Sequence, residues 1–445
     1  MRKVLPKYGW VILAFASSIF HVLVLIQVYN TGPIPFAPED WDTGLHFADL
    51  RAEGEFEIAD LWSPLINSHV VFPARLTIYG SVVLTQWNLH WLSILNYCLG
   101  VVAVGLILIL VWSTSPSTLK WAVFPVTMFM LAAHRWGSWY SGIYLAWHYN
   151  TILLLLTVFF LSREKSLTNF AMGVATAVMA SLTMLHGFTV WIAVIPLAFF
   201  NGYRHAKWWI SWSIVVSVMT FVYFLIPGAN ETSGKLVVRE LIISIPDLVL
   251  GYLIFLGTVF GTVNNSRVPI PIILTLFGTI IALWSILLLW RKPENRPFVT
   301  MVSTLSLYIL LSGALMVLGR VPENGGIYML ARHYVSGSSI YWVGISLLLI
   351  KTLQFMIETR HRYRKIYIIY ACFLTVLAFV FYTISAQEGM GLALSYIPFQ
   401  ECVFEYVDTG NYADGCETII ATEANAILLD NVQQLKQYEL SGFAR

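Results

Sequence analysis

The chain has 445 residues, of which 58% are hydrophobic and only 11% charged, with a mean hydropathy of +0.72. Soluble domains carry roughly 25% charged residues, so this balance excludes an ordinary soluble protein and predicts an all-α polytopic membrane protein. The net charge of +2 hides a strong asymmetry along the chain, and the basic residues form no stripe for nucleic acid.

Apolar runs predict about eleven spans, near 9–28, 90–112, 120–134, 149–162, 169–187, 188–203, 208–226, 269–290, 298–318, 336–356 and 366–385. Most approach the roughly 17–25 residues needed to cross the hydrocarbon core. The runs at 120–134, 149–162 and 188–203 are short, so their flanks are expected to extend the helices. The stretch 242–262 is apolar enough to span. Counting it would move Arg291, Lys292 and Arg296 to the far side, so it is read as a helix at, or re-entering from, the outer surface. The organisation is then one transmembrane module over 1–386, with a long outer loop over 29–89, followed by a small tail over 387–445.

Lys and Arg orient the spans. Fifteen of the 26 basic residues fall before the first span or in every second connection, Lys351 near the inner end of its span makes sixteen, and only three of the 24 acids join them. The N-terminus is therefore expected in the cytoplasm and the C-terminus outside it.

The long outer loop holds the densest chemistry. Eight of the 24 acids lie between Pro33 and Arg75, led by the run Glu39-Asp40-Trp41-Asp42. Clustered carboxylates raise one another's pKa, which suits a proton acceptor. Asp40 and Asp42 sit among Trp41, Phe36 and Phe47, whereas Glu53, Glu55 and Glu57 read as a solvated face. Further on, His69 and Arg75 could reach a phosphate or a sugar hydroxyl, or simply pack the loop on the membrane.

The connection after the third span is unusually aromatic, from His134-Arg135-Trp136 through Trp139-Tyr140 to Trp147-His148-Tyr149-Asn150. Aromatic faces stack on sugar rings, although an interfacial aromatic belt has the same composition. His186 ends the fifth span and reads as structural. Between the ninth and tenth spans, Arg320 is followed by Arg332-His333-Tyr334. Two arginines beside a membrane cavity are costly unless an anion or a carboxylate pairs with them, and Arg binds phosphate bidentately. The competing account is a salt bridge from Arg332 to a first-loop acid. Cys98 and Cys372 lie in spans. Cys402 and Cys416 lie in the tail, where a disulfide between them would stabilise a small domain by roughly 3 kcal/mol. No CxxC, HExxH, GxGxxG or P-loop spacing occurs.

This layout resembles the GT-C class of integral-membrane glycosyltransferases. The likeness rests on the cytoplasmic N-terminus, the Glu39-Asp40 pair with Asp42 in the first outer loop, the many short-looped spans, and the late Arg320 to Arg332-His333-Tyr334 stretch. The run Asn67-Ser68-His69 to Phe72-Pro73-Ala74-Arg75 is similar to an "NEHR…FPRL" stretch of uncharacterised relatives. It departs from that form at Ser68 and Val70, and by the extra Ala74. The resemblance implies an outward-facing site, in a bacterial inner or plasma membrane, that moves a sugar from a polyprenyl-phosphate donor to a glycan or lipid-linked acceptor. It implies Asp40 or Asp42 as general base, inverting the anomeric centre. Arg332 and Arg320, with His333, Tyr334 and Arg75, would bind the donor phosphate, which needs charge stabilisation more than protonation. Glu39, Trp41, His69, Trp139, His148 and Tyr149 would hold sugar or acceptor. No cofactor is required, although Asp40 and Asp42 could hold a divalent metal. Two other readings are an O-antigen-type polymerase and a lipid or solute transporter. The first depends on arginines in long late loops. The second is marked by inverted repeats and midplane charges, and His21 is the main titratable residue well inside a span.

Overall fold

The computed structural model describes residues 5–30, 38–63, 70–226, 244–261, 268–410, 432–434 and 436–440. Every longer element among them is helical. The first half of the chain forms α1 (Leu5–Tyr29), α2 (Pro38–Glu53), α3 (Phe72–Thr85), α4 (Leu89–Thr114), α5 (Leu119–Met130), α6 (Trp136–Tyr140), α7 (Leu145–Ser162) and α8 (Leu167–Ser181). The second half forms α9 (Val190–Ala193), α10 (Ile195–Phe200), α11 (Ala206–Leu225), α12 (Ile245–Gly257), α13 (Pro269–Trp290), α14 (Arg296–Asn324), α15 (Val335–Glu358) and α16 (Arg364–Thr409). Eight of these, α1, α4, α7, α11, α13, α14, α15 and α16, contain stretches long and apolar enough to cross a membrane. The molecule is a polytopic helical membrane protein.

Three of the eleven expected spans are shorter than the rest. The expected extension of 120–134 does not occur, because α5 is 12 residues long and ends at Met130, past an internal Pro125. The 169–187 run is α8, with 15 residues. The 188–203 run breaks into a 3-10 turn (Leu185–Thr189), α9 and α10. Pro196, which has no N–H to give, sits in the first turn of α10. By contrast, 149–162 does extend, back to Leu145.

Helix α12 and the turn Thr258–Phe260 cover the 242–262 stretch. At about 1.5 Å per residue, α12 is roughly 20 Å long, short of a core about 30 Å thick. Its second half is buried against α13, α14 and α15. The Phe255 ring occupies space that a Cβ would need at Gly313, 2.4 Å away, and at Gly337, 2.9 Å away. Small residues permit such close helix approach where water exclusion supplies no driving force. Thr258 Oγ1 donates to the Met329 carbonyl (2.8 Å), and Ser338 Oγ accepts from the Val259 N–H (3.1 Å).

The two ends of the bundle differ. At one end the connections are short and basic. Lys120, Arg163, Arg204, Lys207, Arg296 and Arg362 each lie over a neighbouring aromatic ring at 4.4–5.9 Å, as cations do when an apolar stem reaches a membrane interface. At the other end lie α2, α3, α6 and the connection between α14 and α15.

At that second end α2 and α3 build a small core of their own. Trp41, Phe47, Ile78 and Trp87 pack there with Leu92 of α4 and Leu145 of α7. The tail completes it. Helix α16 runs unbroken for 46 residues through the expected boundary at 386. It brings Cys402 and Tyr406 to this core, where Val432 and Leu440 join them. The Tyr438 hydroxyl bonds to the Asp49 carboxylate of α2. The exposed Lys436–Asp408 pair (3.2 Å) adds little, as exposed pairs do. Cys402 is disulfide-bonded and Cys98 and Cys372 are free; Cys416 lies outside the described residues.

Candidate functional site

Helix α2 separates the two candidate bases. Residues two apart on a helix point about 200° apart. Asp40 is 1% exposed and faces the bundle, while Asp42 is exposed to solvent. The two carboxylates therefore do not converge on one cation. Asp40 Oδ1 accepts the Ile143 N–H at 2.7 Å. That backbone belongs to the link between α6 and α7, which Asn96 of α4 fixes by donating to the Ser141 carbonyl at 2.9 Å. A bond from a backbone N–H to a carboxylate is charge-assisted and strong, so the first loop is tied to α7 at its start.

One residue further, Tyr144 begins a chain of rings. It stacks on His333 (5.9 Å, 27°), which packs against Tyr334 (4.1 Å). Trp147, one turn along α7, meets both of these rings at 6.4 and 6.3 Å and lies on His186 at 4.7 Å. Three separate segments thus meet at Trp147: the start of α7, the 3-10 turn after α8, and the Arg332–Tyr334 turn before α15.

Beneath Trp147 and His186 is a small cleft of about 10 Å³, room for about one water, lined also by Asn150, Thr151, Tyr308, Ser312, Met316 and Ser336. Its polar wall is locked. Tyr308 Oη donates to Asn150 Oδ1. The Asn150 amide donates to Thr183 Oγ1 (2.6 Å) and to the Ala180 carbonyl (3.3 Å). Thr189 and Ser312 share a hydroxyl hydrogen bond of 2.7 Å. Ser336 Oγ is buried and makes no hydrogen bond to the protein. Ring faces meet fixed hydroxyl and amide groups here, in a space smaller than a sugar ring. Among the described residues no group of three His, Cys, Asp or Glu could hold a metal.

Arg320, near the end of α14, hydrogen-bonds Tyr334 and acts electrostatically on His333. Burial pushes the His333 imidazole down from 6.5 to about 4, and the Arg320 charge adds to the shift. The unfolded chain takes up this proton near 6.5, whereas the folded protein does so only near 4. The stability contributed by neutral His333 is therefore full above pH 6.5 and is lost as the pH falls from 6.5 towards 4. His333→Gln is expected to flatten the pH dependence of unfolding over that interval. An unchanged slope in detergent-solubilised protein would show that His333 is solvated.

The remaining expected site residues fall in three groups. Trp41 and Trp139 are core residues. Trp41 sits edge-on to Trp87 (6.2 Å), and the fully buried Trp139 donates to the Ala132 carbonyl (3.2 Å). His148 lies on Trp139 (5.2 Å), and Tyr149 joins α7 to α3 through Thr77 (2.8 Å). Arg75 is buried in the core of the loop over Phe47 (4.9 Å). Burial lowers its pKa to about 10, and Asp60 opposes that shift. The side chains of Glu39 and Arg332, and the whole of His69, lie outside the described residues, although the Arg332 backbone lies in the 332–334 turn. From sequence, Trp147 is named within the aromatic run and His186 reads as structural, but Tyr308, Ser312 and Ser336 are not singled out. The one available signal was the polar Asn150-Thr151 pair opening an apolar helix. Searches of family models, curated proteins and solved structures return no match for the chain.

Proposed function

We propose that the chain is a membrane glycosyltransferase of GT-C type. It moves a sugar from a polyprenyl-phosphate donor to a glycan or lipid-linked acceptor at the end of the bundle that carries α2 and α6. That end faces the periplasm or exterior of a bacterial inner membrane. The observation that carries the reading is the position of Asp40. It is the only buried acid among the described residues, and it is held at the start of the ring chain that roofs a polar cavity.

In this reading the Asp40 carboxylate accepts the proton of an acceptor hydroxyl as that oxygen attacks the anomeric carbon. The bond from that carbon to the phosphate oxygen breaks, and the lipid phosphate leaves with the electron pair, so the centre inverts. Arg320 and Arg332 balance the charge that develops on the leaving phosphate, and His333 and Tyr334 orient Arg320. The ring face of Trp147 stacks on the sugar. The basic residues at the opposite end support a cytoplasmic position for that end.

The test supplies purified protein in lipid nanodiscs with a panel of radiolabelled polyprenyl-phosphate sugars and a membrane-lipid extract as acceptor. Transfer by wild type, lost in folded Arg332→Ala and Trp147→Ala variants, supports the assignment. No donor consumed by wild type overturns it and leaves the polymerase and transport readings.

A further inference from the structure

The inside of the bundle carries a second polar cluster, beside the Trp139–His148 stack. Arg135 is its centre. Its guanidinium is 2% exposed and has five N–H donors. One donates to the Met130 carbonyl at 3.1 Å, and the planar face lies over Trp139 at 5.0 Å. Nε makes no hydrogen bond, and Arg135 forms no ion pair with any described residue. Burying one charge without its counter-charge typically costs several kcal/mol, and arginine does not shed its proton.

The neighbours share this condition. His134 is 5% exposed, and neither of its ring nitrogens makes a hydrogen bond. His148 Nε2, Ser138 Oγ and Ser141 Oγ are also buried without a partner. Both imidazoles feel the charge of Arg135. Helix α16 closes the side, coming so near at Gly389 that a Cβ there would lie 2.5 Å from His134 Cα. An ordinary buried polar cluster satisfies itself. This one presents a fixed cation with hydroxyl and imidazole groups, and among the described residues no acid pairs with Arg135.

We infer that the turn His134–Ser138 is a receptor for a phosphate-type oxyanion, held by the fork of Arg135 and by the Ser138 hydroxyl. The inference concerns binding and stands apart from the transfer reaction, so an inactive protein still reports on it.

The experiment uses the full chain in nanodiscs of neutral lipid. Inorganic phosphate, pyrophosphate, a polyprenyl phosphate and the matching polyprenol are titrated separately, followed by calorimetry and by thermal unfolding. Binding of phosphate or pyrophosphate identifies a soluble anion. Binding of the polyprenyl phosphate alone identifies a lipid headgroup. In either case Arg135→Lys, which keeps the charge and loses the fork, is expected to weaken affinity at least about tenfold. Ser138→Ala removes no hydrogen bond made within the protein. It should leave the melting temperature of the ligand-free protein unchanged and weaken the same binding several-fold. Equal binding of the polyprenol, full affinity in both variants, or no binding of any phosphate overturns the inference.

Discussion

Asp40→Asn is expected to lower sugar transfer by about 10²–10⁴-fold, the range a positioned general base supplies, while Asp42→Asn stays near wild type. The asparagine keeps an oxygen for the Ile143 N–H, now bonded at 2.7 Å, so the first loop should remain tied to α7 and the loss would be chemical. Asp42 points to solvent from the opposite face of the same helix. Initial rates and melting temperatures of the two variants decide the matter. Loss of activity in Asp42→Asn with full activity in Asp40→Asn would reverse the assignment. Full activity in both would remove the first loop from the chemistry.

The second large effect is structural and lies under the cavity. Gly187→Ala would place a methyl 2.0 Å from the Ala180 carbonyl oxygen and 2.8 Å from the Asn150 amide nitrogen. Neither can yield cheaply. The carbonyl ends α8, and the amide is held by Thr183 and by that same carbonyl. Overpacking together with loss of this buried bond is expected to cost about 3 kcal/mol or more. Gly319→Ala on α14 is the matched control, because nothing lies within 4 Å of its added methyl. It should be neutral or gain up to about 1 kcal/mol from helix propensity. Equal melting temperatures for the two variants would mean that the turn after α8 is loosely packed.

The long spans were legible because hydropathy alone specifies them. Helices α4 and α13 lie within a residue or two of their expected limits. The short ones were not, since an apolar run near Pro125 or Pro196 has the same composition whether or not its helix continues. The reach of α16 past residue 386 was also hidden. Beyond that point its sequence turns polar, as a helix does when it leaves lipid. Asp40 was singled out by charge density, yet Asp40 and Asp42 could not be told apart until α2 was known to be a helix. The cavity was invisible for a different reason. Asn150, His186, Tyr308 and Ser336 come from four separate segments, and only tertiary packing gathers them.

The tail's place against α2 sets an order of events during synthesis. Val432 and Leu440 cover the core that contains Trp41 and Phe47, so residues near the start of the chain wait for residues near its end. Ribosomes add about 5–20 residues per second, which leaves the helix of Asp40 uncovered for roughly 20–80 s after it emerges. A chain cut before Val432 can insert its spans and still leave this small core open on one side. The first loop is thus held twice, early by the Asp40–Ile143 bond to α7 and late by the docking of Val432 and Leu440.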